Sequence, residues 1–234
     1  MANYDIGQFI LFMVVLVFSL SLHEAAHAWM SNRFGDDLAR SQGRISLNPV
    51  THVDPIGTLL FPGFSFFTGV PLLGWARPTP VNPLRWRNKR VANFWVSLAG
   101  ILSNLSIAII AGITIRVLFE TGLITFDFNL RSWMPITPAT TDSTIAQGAV
   151  TLLSGFFTLN VSLAVFNLLP IPPLDGSKVL SSVLPASFEP AIEALEQYGM
   201  ILLFIAVFTK VFSHIFAFVM PIAFNLVFLG RFQI

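Results

Sequence analysis

The sequence predicts an all-α polytopic membrane protein. The expected architecture is a bundle of about four to six transmembrane helices, with a membrane-associated β-rich or re-entrant segment between the first two clear helices. Three observations predict it. Hydrophobic residues make up 54% of the 234 residues and charged residues only 11%, where a soluble domain carries about 25% charged residues. Uncharged runs long enough to cross a bilayer recur along the chain. One further apolar run is too rich in glycine and proline for a straight helix. The net charge is +1 and cysteine is absent. Nucleic acid is therefore not an expected partner, and neither disulfides nor thiolate metal ligands are available.

Residues 6–31 are expected to form the first helix, uncharged over its first seventeen residues, Ile6 to Leu22. No basic stretch precedes it and Asp5 has the wrong sign for one, so it reads as a retained span rather than a signal peptide. Residues 43–83 are the expected β-rich or re-entrant segment. Within it, "IGTLLFPGFSFFTGVPLLGW" (56–75) holds four glycines and two prolines. Such backbone persists at membrane depth only when it is buried in protein or lines a cavity. Residues 91–119 form the second clear helix, uncharged from Val91 to Ile115, and residues 147–169 the third. The third leads into "NLLPIPPLDG" (167–176), whose prolines stop a helix and extend the backbone. Residues 199–230, interrupted by Lys210 and His214, form one tilted helix or a pair, and a pair meeting near 209–214 is favoured. The whole of 1–234 reads as a single domain. Two N-x-S matches, at Asn104 and Asn160, lie inside apolar runs and are not expected to be glycosylated.

Basic residues set the topology. Arg33, Arg40 and Arg44 follow the first helix, and Arg77, Arg85, Arg87, Lys89 and Arg90 precede the second. The positive-inside rule assigns both groups to the cytoplasm. The N-terminus is then outside, the segment between the two groups enters and leaves on one side, and residues 23–27 and 175 lie toward the cytoplasmic leaflet.

The chemistry is concentrated in "HEAAH" (23–27), at the end of the first apolar run. On a helix, His23 and His27 are one turn apart on one face, so both imidazoles can reach one tetrahedral metal ion. Glu24 is placed to take a proton from a zinc-bound water, whose pKa falls to about 7. Ionisable groups inside a span cost roughly 2.5 kcal/mol or more each, and a bound metal compensates that cost. A catalytic zinc needs a third protein ligand. The candidates are His52, His214, Asp54, Glu120, Asp175 and the group Glu189, Glu193 and Glu196. Asp175 follows the proline-rich stretch and precedes Gly176, which permits a sharp turn. From spacing alone it is equally a ligand or the N-cap of a short helix over "SKVLSSVL".

"HEAAHAW" on an early membrane helix together with "NLLPIPPLDG" after a later one resembles the site-2 proteases, a family of intramembrane zinc metalloproteases. "LNPVTHVDPIGTLLFP" and "GWARPTPVNP" resemble its compact branch, which lacks PDZ and regulatory nucleotide-binding domains. The likeness covers most of residues 10–185. It implies His23, His27 and Asp175 as the ligands of one zinc ion per chain and Glu24 as the catalytic base. It also implies that Asn167 lies near the site, able to hold substrate backbone or an oxyanion, with Asn160 a second polar position. His52, with Asp54, matches a compact-branch pattern that could touch substrate, or make a turn. The segment 43–83 would present an edge to an extended substrate. One departure is Gly100–Asn104, where the family often has a proline after the glycine.

The function implied is intramembrane zinc endopeptidase activity on a transmembrane protein substrate, that is, regulated intramembrane proteolysis. The expected setting is the lipid bilayer of a bacterial inner membrane, with the oligomeric state open. A zinc transporter is the rival from another class. It needs ligands along a path, and this chain has four histidines with one pair at helical spacing. A zinc protease whose third ligand is a glutamate among 189–196 is a further alternative.

Overall fold

A computed structural model describes residues 6–69, 74–126, 136–138 and 143–229. Asp5, residues 70–73 of the glycine- and proline-rich run, and Gly230 lie outside the described residues. The helices are α1 (Ile6–Arg33), α2 (Leu38–Ser41), α3 (Phe61–Thr68), α4 (Lys89–Glu120), α5 (Thr144–Leu168), α6 (Asp175–Val183), α7 (Glu189–Phe208) and α8 (Val211–Phe228). Five of them, α1, α4, α5, α7 and α8, are long and apolar enough to cross a membrane. The protein is an all-α polytopic integral membrane protein.

Local chemistry sets the helix ends. The side chains of Asn88 and Ser143 accept from Val91 N and Ala146 N, capping α4 and α5. The C-terminal tract is two helices, parted at Thr209–Lys210, where Lys210 takes a left-handed φ of 60°.

Helix α4 is the centre of the bundle, packing on α1, α5 and α6. Small residues line this approach, among them Ala25 and Ala28 on α1 and Ala92, Ala99, Gly100 and Ala108 on α4. Small side chains let membrane helices come close. The apolar core is divided. One cluster joins α4, α5 and α8 through Ala111, Ile115, Val150, Phe157, Phe224 and Phe228. A second joins Leu174 to Leu203 and Ala206 of α7 and Phe212 of α8. A third joins Trp86, Ala92 and Val96 to Met30 and Phe34. In the interior of α1, α4 and α5 the buried residues include Ser19, His23, Asn104 and Asn160. That polar interior is where a site can be built.

The strands expected within residues 43–83 are absent from its described residues, which corrects the β-rich reading. The chain instead makes a 3₁₀ turn (Pro49–Thr51), a π-helical turn (Pro55–Leu60) and then α3. Pro55 falls at the start of this helical run, where a missing N–H costs nothing, and Pro62 sits where the π-helical turn gives way to α3. Asp54 caps the first turn by accepting from Ile56 N and Gly57 N, and Gly69, at φ 71°, ends α3. Residues 74–82 return without helix or strand, and Pro78 and Pro80 have no N–H with which to build a ladder. The excursion runs alongside α1. Phe66 and Phe67 lie 5.1 and 4.9 Å from the Phe9 ring near the start of α1. At the other end Trp75 N donates to Gly57 O at 3.1 Å, so the chain leaves and returns at one level. Two short strands occur elsewhere, β1 (Ile124–Phe126) antiparallel to β2 (Ile136–Pro138), in the connection between α4 and α5.

Candidate metal centre

One helical turn brings the two histidines of α1 together. His23 and His27 are buried, and their Nε2 atoms are 3.0 Å apart. Asp175 is the first residue of α6 and is also buried. Its Oδ2 lies 3.1 Å from each Nε2. The N-cap position belongs to Leu174, and no side chain caps α6. The aspartate turns its Oδ2 toward the histidines, while its Oδ1 lies 3.9 Å from Lys178 Nζ of its own helix. Among the described residues, His23, His27 and Asp175 form the one group of three such ligands close enough to hold an ion together.

Two glycines and a proline-rich loop make this convergence possible. A Cβ at Gly100 of α4 would meet ring atoms of His23 and His27 at 2.5–2.6 Å, so a bare backbone lies against the site. A Cβ at Gly176 would stand 2.2 Å from Leu168 O and 2.5 Å from Leu169 O. Only glycine lets the start of α6 close on the end of α5 and present Asp175 from there. Gly176→Ala is accordingly expected to destabilise the fold by about 1–3 kcal/mol or more, the range for overpacking. A lower midpoint of thermal unfolding in detergent would record it, and an unchanged midpoint would contradict the close approach.

Hydrogen bonds determine which ring nitrogens face inward. His27 Nδ1 lies 2.6 Å from Val96 O. A carbonyl only accepts, so Nδ1 carries the proton and Nε2 a lone pair. His23 Nδ1 lies 2.6 Å from Asn104 Oδ1. The Asn104 amide is oriented in turn, because its Nδ2 donates to Asn160 Oδ1 at 2.8 Å and to Ser19 O at 3.4 Å. Asn160 Nδ2 donates to Ser19 Oγ and Phe156 O, both at 2.8 Å. His23 is therefore also protonated at Nδ1.

Three lone-pair atoms then converge in a buried space: two neutral Nε2 and a carboxylate Oδ2 that accepts no hydrogen bond. Such a cluster repels itself unless a cation occupies its centre. Nitrogen and oxygen ligands about 2.0–2.1 Å from a tetrahedral zinc lie about 3.3 Å apart. The observed 3.0–3.1 Å is a few tenths of an ångström short of that. The donor set and its spacing fit a zinc ion.

Glu24 is not part of the cluster. Its Oε2 accepts from Thr79 N at 2.8 Å, and Thr79 Oγ1 donates to Glu24 O at 2.9 Å. Asn160 is wholly buried and hydrogen-bonded between helices. Asn167 is half-buried near the end of α5 and donates to Leu163 O of its own helix. His52 is buried beneath the return segment, its Nε2 bonded to Ser46 O. Burial pushes its imidazole below the usual range, against the Ser46 carbonyl that raises it, and the nearby Arg44 pushes it down further. Of the other third-ligand candidates, Glu120 pairs with Arg116 and Asp54 caps a turn. His214, Glu193 and Glu196 are exposed on α7 and α8. Asn104, which bonds His23 Nδ1, is not among the site residues expected from the sequence, where it appears only in the Gly100–Asn104 departure. The available signal was its spacing of four from Gly100, which places both on one face of a membrane helix.

The model of Peptidase family M50 matches residues 11–209. The chain is 33% identical over 202 residues to a Bacillus subtilis protein named "Putative zinc metalloprotease YwhC", covering 86% of this chain and 82% of that one. Two mycobacterial proteins named with the same description, Rip2, are also similar. The Mycolicibacterium smegmatis protein is 29% identical over 212 residues, 90% of this chain and 71% of its own. The Mycobacterium tuberculosis protein is 28% identical over 200 residues, 85% and 67%. No solved structure matches the chain.

Proposed function

Because the chain belongs to peptidase family M50, that of the site-2 proteases, we propose that it is an intramembrane zinc metalloendopeptidase. On this reading it hydrolyses a peptide bond within or near a transmembrane segment of another membrane protein, as in regulated intramembrane proteolysis. The observation that carries the reading is the buried convergence of His23 Nε2, His27 Nε2 and Asp175 Oδ2 with both imidazole protons committed elsewhere. These three residues would hold one zinc ion per chain. When bound, the ion supplies Lewis acidity, which polarises a carbonyl and acidifies water. Glu24 is the proton carrier. Its Oε2 is held by Thr79 N, which leaves Oε1 for the proton. That oxygen takes the proton of the attacking water and returns it to the departing amine.

The distribution of basic residues supports a cytoplasmic setting for this chemistry, with the N-terminus outside and the site toward the inner leaflet. A bacterial inner membrane is the proposed location. Asn167, close in sequence to Asp175 and only half-buried, is the better placed of the polar candidates to meet substrate backbone. The described residues contain a single ligand cluster rather than a path of them, which favours hydrolysis over zinc transport.

The test is to purify the protein, measure its zinc, and reconstitute it with a single-span reporter substrate. About one zinc per chain, cleavage abolished by chelation and restored by zinc are the expected results. Cleavage indifferent to the chelator, or no zinc after reloading, would overturn the reading. Asn104→Ala is expected to weaken zinc binding about 10–100-fold, the usual effect of removing the partner of a ligating histidine. Competition with a chelator of known affinity measures it.

A further inference from the structure

We propose that the extended segment Trp75–Pro80 is a strap that positions the Glu24 carboxylate, and that Thr79 is the positioning residue within it. The proposal rests on the reading of Glu24 as proton carrier and deepens it.

The sequence of the strap restricts its backbone. Arg77 and Thr79 each precede a proline and are driven to extended conformations. Pro78 and Pro80 have fixed φ and no N–H. Across residues 78–80 the backbone thus has one donor, Thr79 N, and it is given to Glu24 Oε2 at 2.8 Å. The Thr79 hydroxyl reaches the Glu24 carbonyl at 2.9 Å. One residue therefore grips both the side chain of Glu24 and the helix that bears it.

The strap is itself tied down on both sides of Thr79. Trp75 N donates to Gly57 O at 3.1 Å, and Thr58 Oγ1 donates to Trp75 O at 2.8 Å. Arg77 N donates to His52 O at 2.8 Å. The buried Arg44 donates through Nη2 to Arg77 O, and to Pro78 O at 3.1 Å. Beyond Thr79, Asn82 N donates to the fully buried Asp36 at 2.7 Å. Asp36 also accepts from Ser31 Oγ at the end of α1. The close approach needs Gly57, since a Cβ there would meet the Trp75 ring at 2.4 Å.

A glutamate side chain has several rotamers, and a proton carrier must sit within hydrogen-bond reach of the proton it moves. A charge-assisted bond from a rigid backbone donor holds one oxygen and leaves the other for the proton. Misplacement by an ångström can cost about a hundredfold in rate. The buried Arg44 and His52 bond to the strap, and both also feel the Glu24 charge directly.

Two measurements test this on the full-length zinc-loaded protein. The first is amide hydrogen exchange, which needs no substrate. Pro78 and Pro80 carry no N–H, so a peptide across them reports Thr79 with little overlap. Exchange there is expected to be slow in wild type and at least about tenfold faster in Glu24→Ala; equal rates would overturn the proposal. The second is kinetic. Thr79→Pro removes the N–H while keeping the segment extended, whereas Thr79→Ala keeps it. Thr79→Pro is expected to lower kcat about 10–100-fold with KM and zinc content held. Thr79→Ala should lose about threefold at most, with Thr79→Ser restoring that loss. Equal losses in Thr79→Pro and Thr79→Ala, or a change confined to KM, would overturn the proposal. Should Thr79→Pro lose zinc through misfolding, Thr58→Val and Thr58→Ser, at an uncharged tie to the strap through Trp75 O, replace it, with kcat falling in the first and rescued in the second. Equal kcat in those two variants would count against the strap. A wild-type protein that cleaves nothing would instead refute the peptidase reading and leave the exchange result standing.

Discussion

Glu24→Gln is expected to leave the zinc content of the purified protein at the wild-type level and to lower kcat about 10²–10⁴-fold, the usual contribution of a general acid–base group. The two halves of this outcome have separate structural grounds. Zinc is retained because Glu24 is outside the cluster of His23, His27 and Asp175. Glutamine also matches the shape of glutamate and can still accept from Thr79 N. Activity is lost because an amide cannot carry a proton between the attacking water and the leaving amine. Metal analysis and single-turnover cleavage on one preparation measure both halves. Cleavage at the wild-type rate would sink the assignment of Glu24. Loss of zinc with loss of cleavage would mean that Glu24 is a ligand, against the geometry.

Gly100→Ala is expected to abolish zinc binding and cleavage together. The added methyl would sit 2.5 Å from His23 Cε1, 2.5 Å from His27 Nε2 and 2.6 Å from His23 Nε2. These ring atoms belong to imidazoles tethered at Nδ1. His23 is held through Asn104 and His27 through Val96 O, each at 2.6 Å. Relief must come from separating α1 and α4 or from turning the imidazoles away, and either breaks the ligand spacing. A suitable control is Gly148→Ala in α5, where a Cβ would meet nothing within 4 Å. That change should be neutral or stabilising by up to about 1 kcal/mol. A zinc-replete Gly100→Ala protein would show that the two helices are further apart than described.

Much of this centre is legible in the sequence. Membrane character follows from composition, and the pairing of His23 with His27 follows from a four-residue spacing on a helix. Asp175 was open between ligand and N-cap on spacing alone, and the family resemblance rather than the spacing pointed to a ligand. The structure gives the cap position to Leu174 and turns the carboxylate toward the histidines. Residues 43–83 differ from the β-rich expectation, since their described part holds short helical turns and no strand. Their glycines and prolines read as obstacles to helix, yet Pro55 starts a helical run and Pro62 sits where the π-helical turn gives way to α3.

What depends on neighbours along the chain is readable in the order of the residues. Length and hydrophobicity decide that a run can span a bilayer, and the helical repeat decides that His23 and His27 share a face. Tertiary structure alone decided what depends on how distant segments pack. Gly176 against the end of α5 brings Asp175 to the histidines. Val96 O and Asn104 select the nitrogens that face the metal position. Thr79, from a return segment hung on Arg44 and His52, holds Glu24. The physical reason is the range of the forces involved. Helical geometry is repeated at each residue and can be read locally. Hydrogen bonds and van der Waals contacts act over about 3–4 Å, so they exist only once the whole bundle has closed.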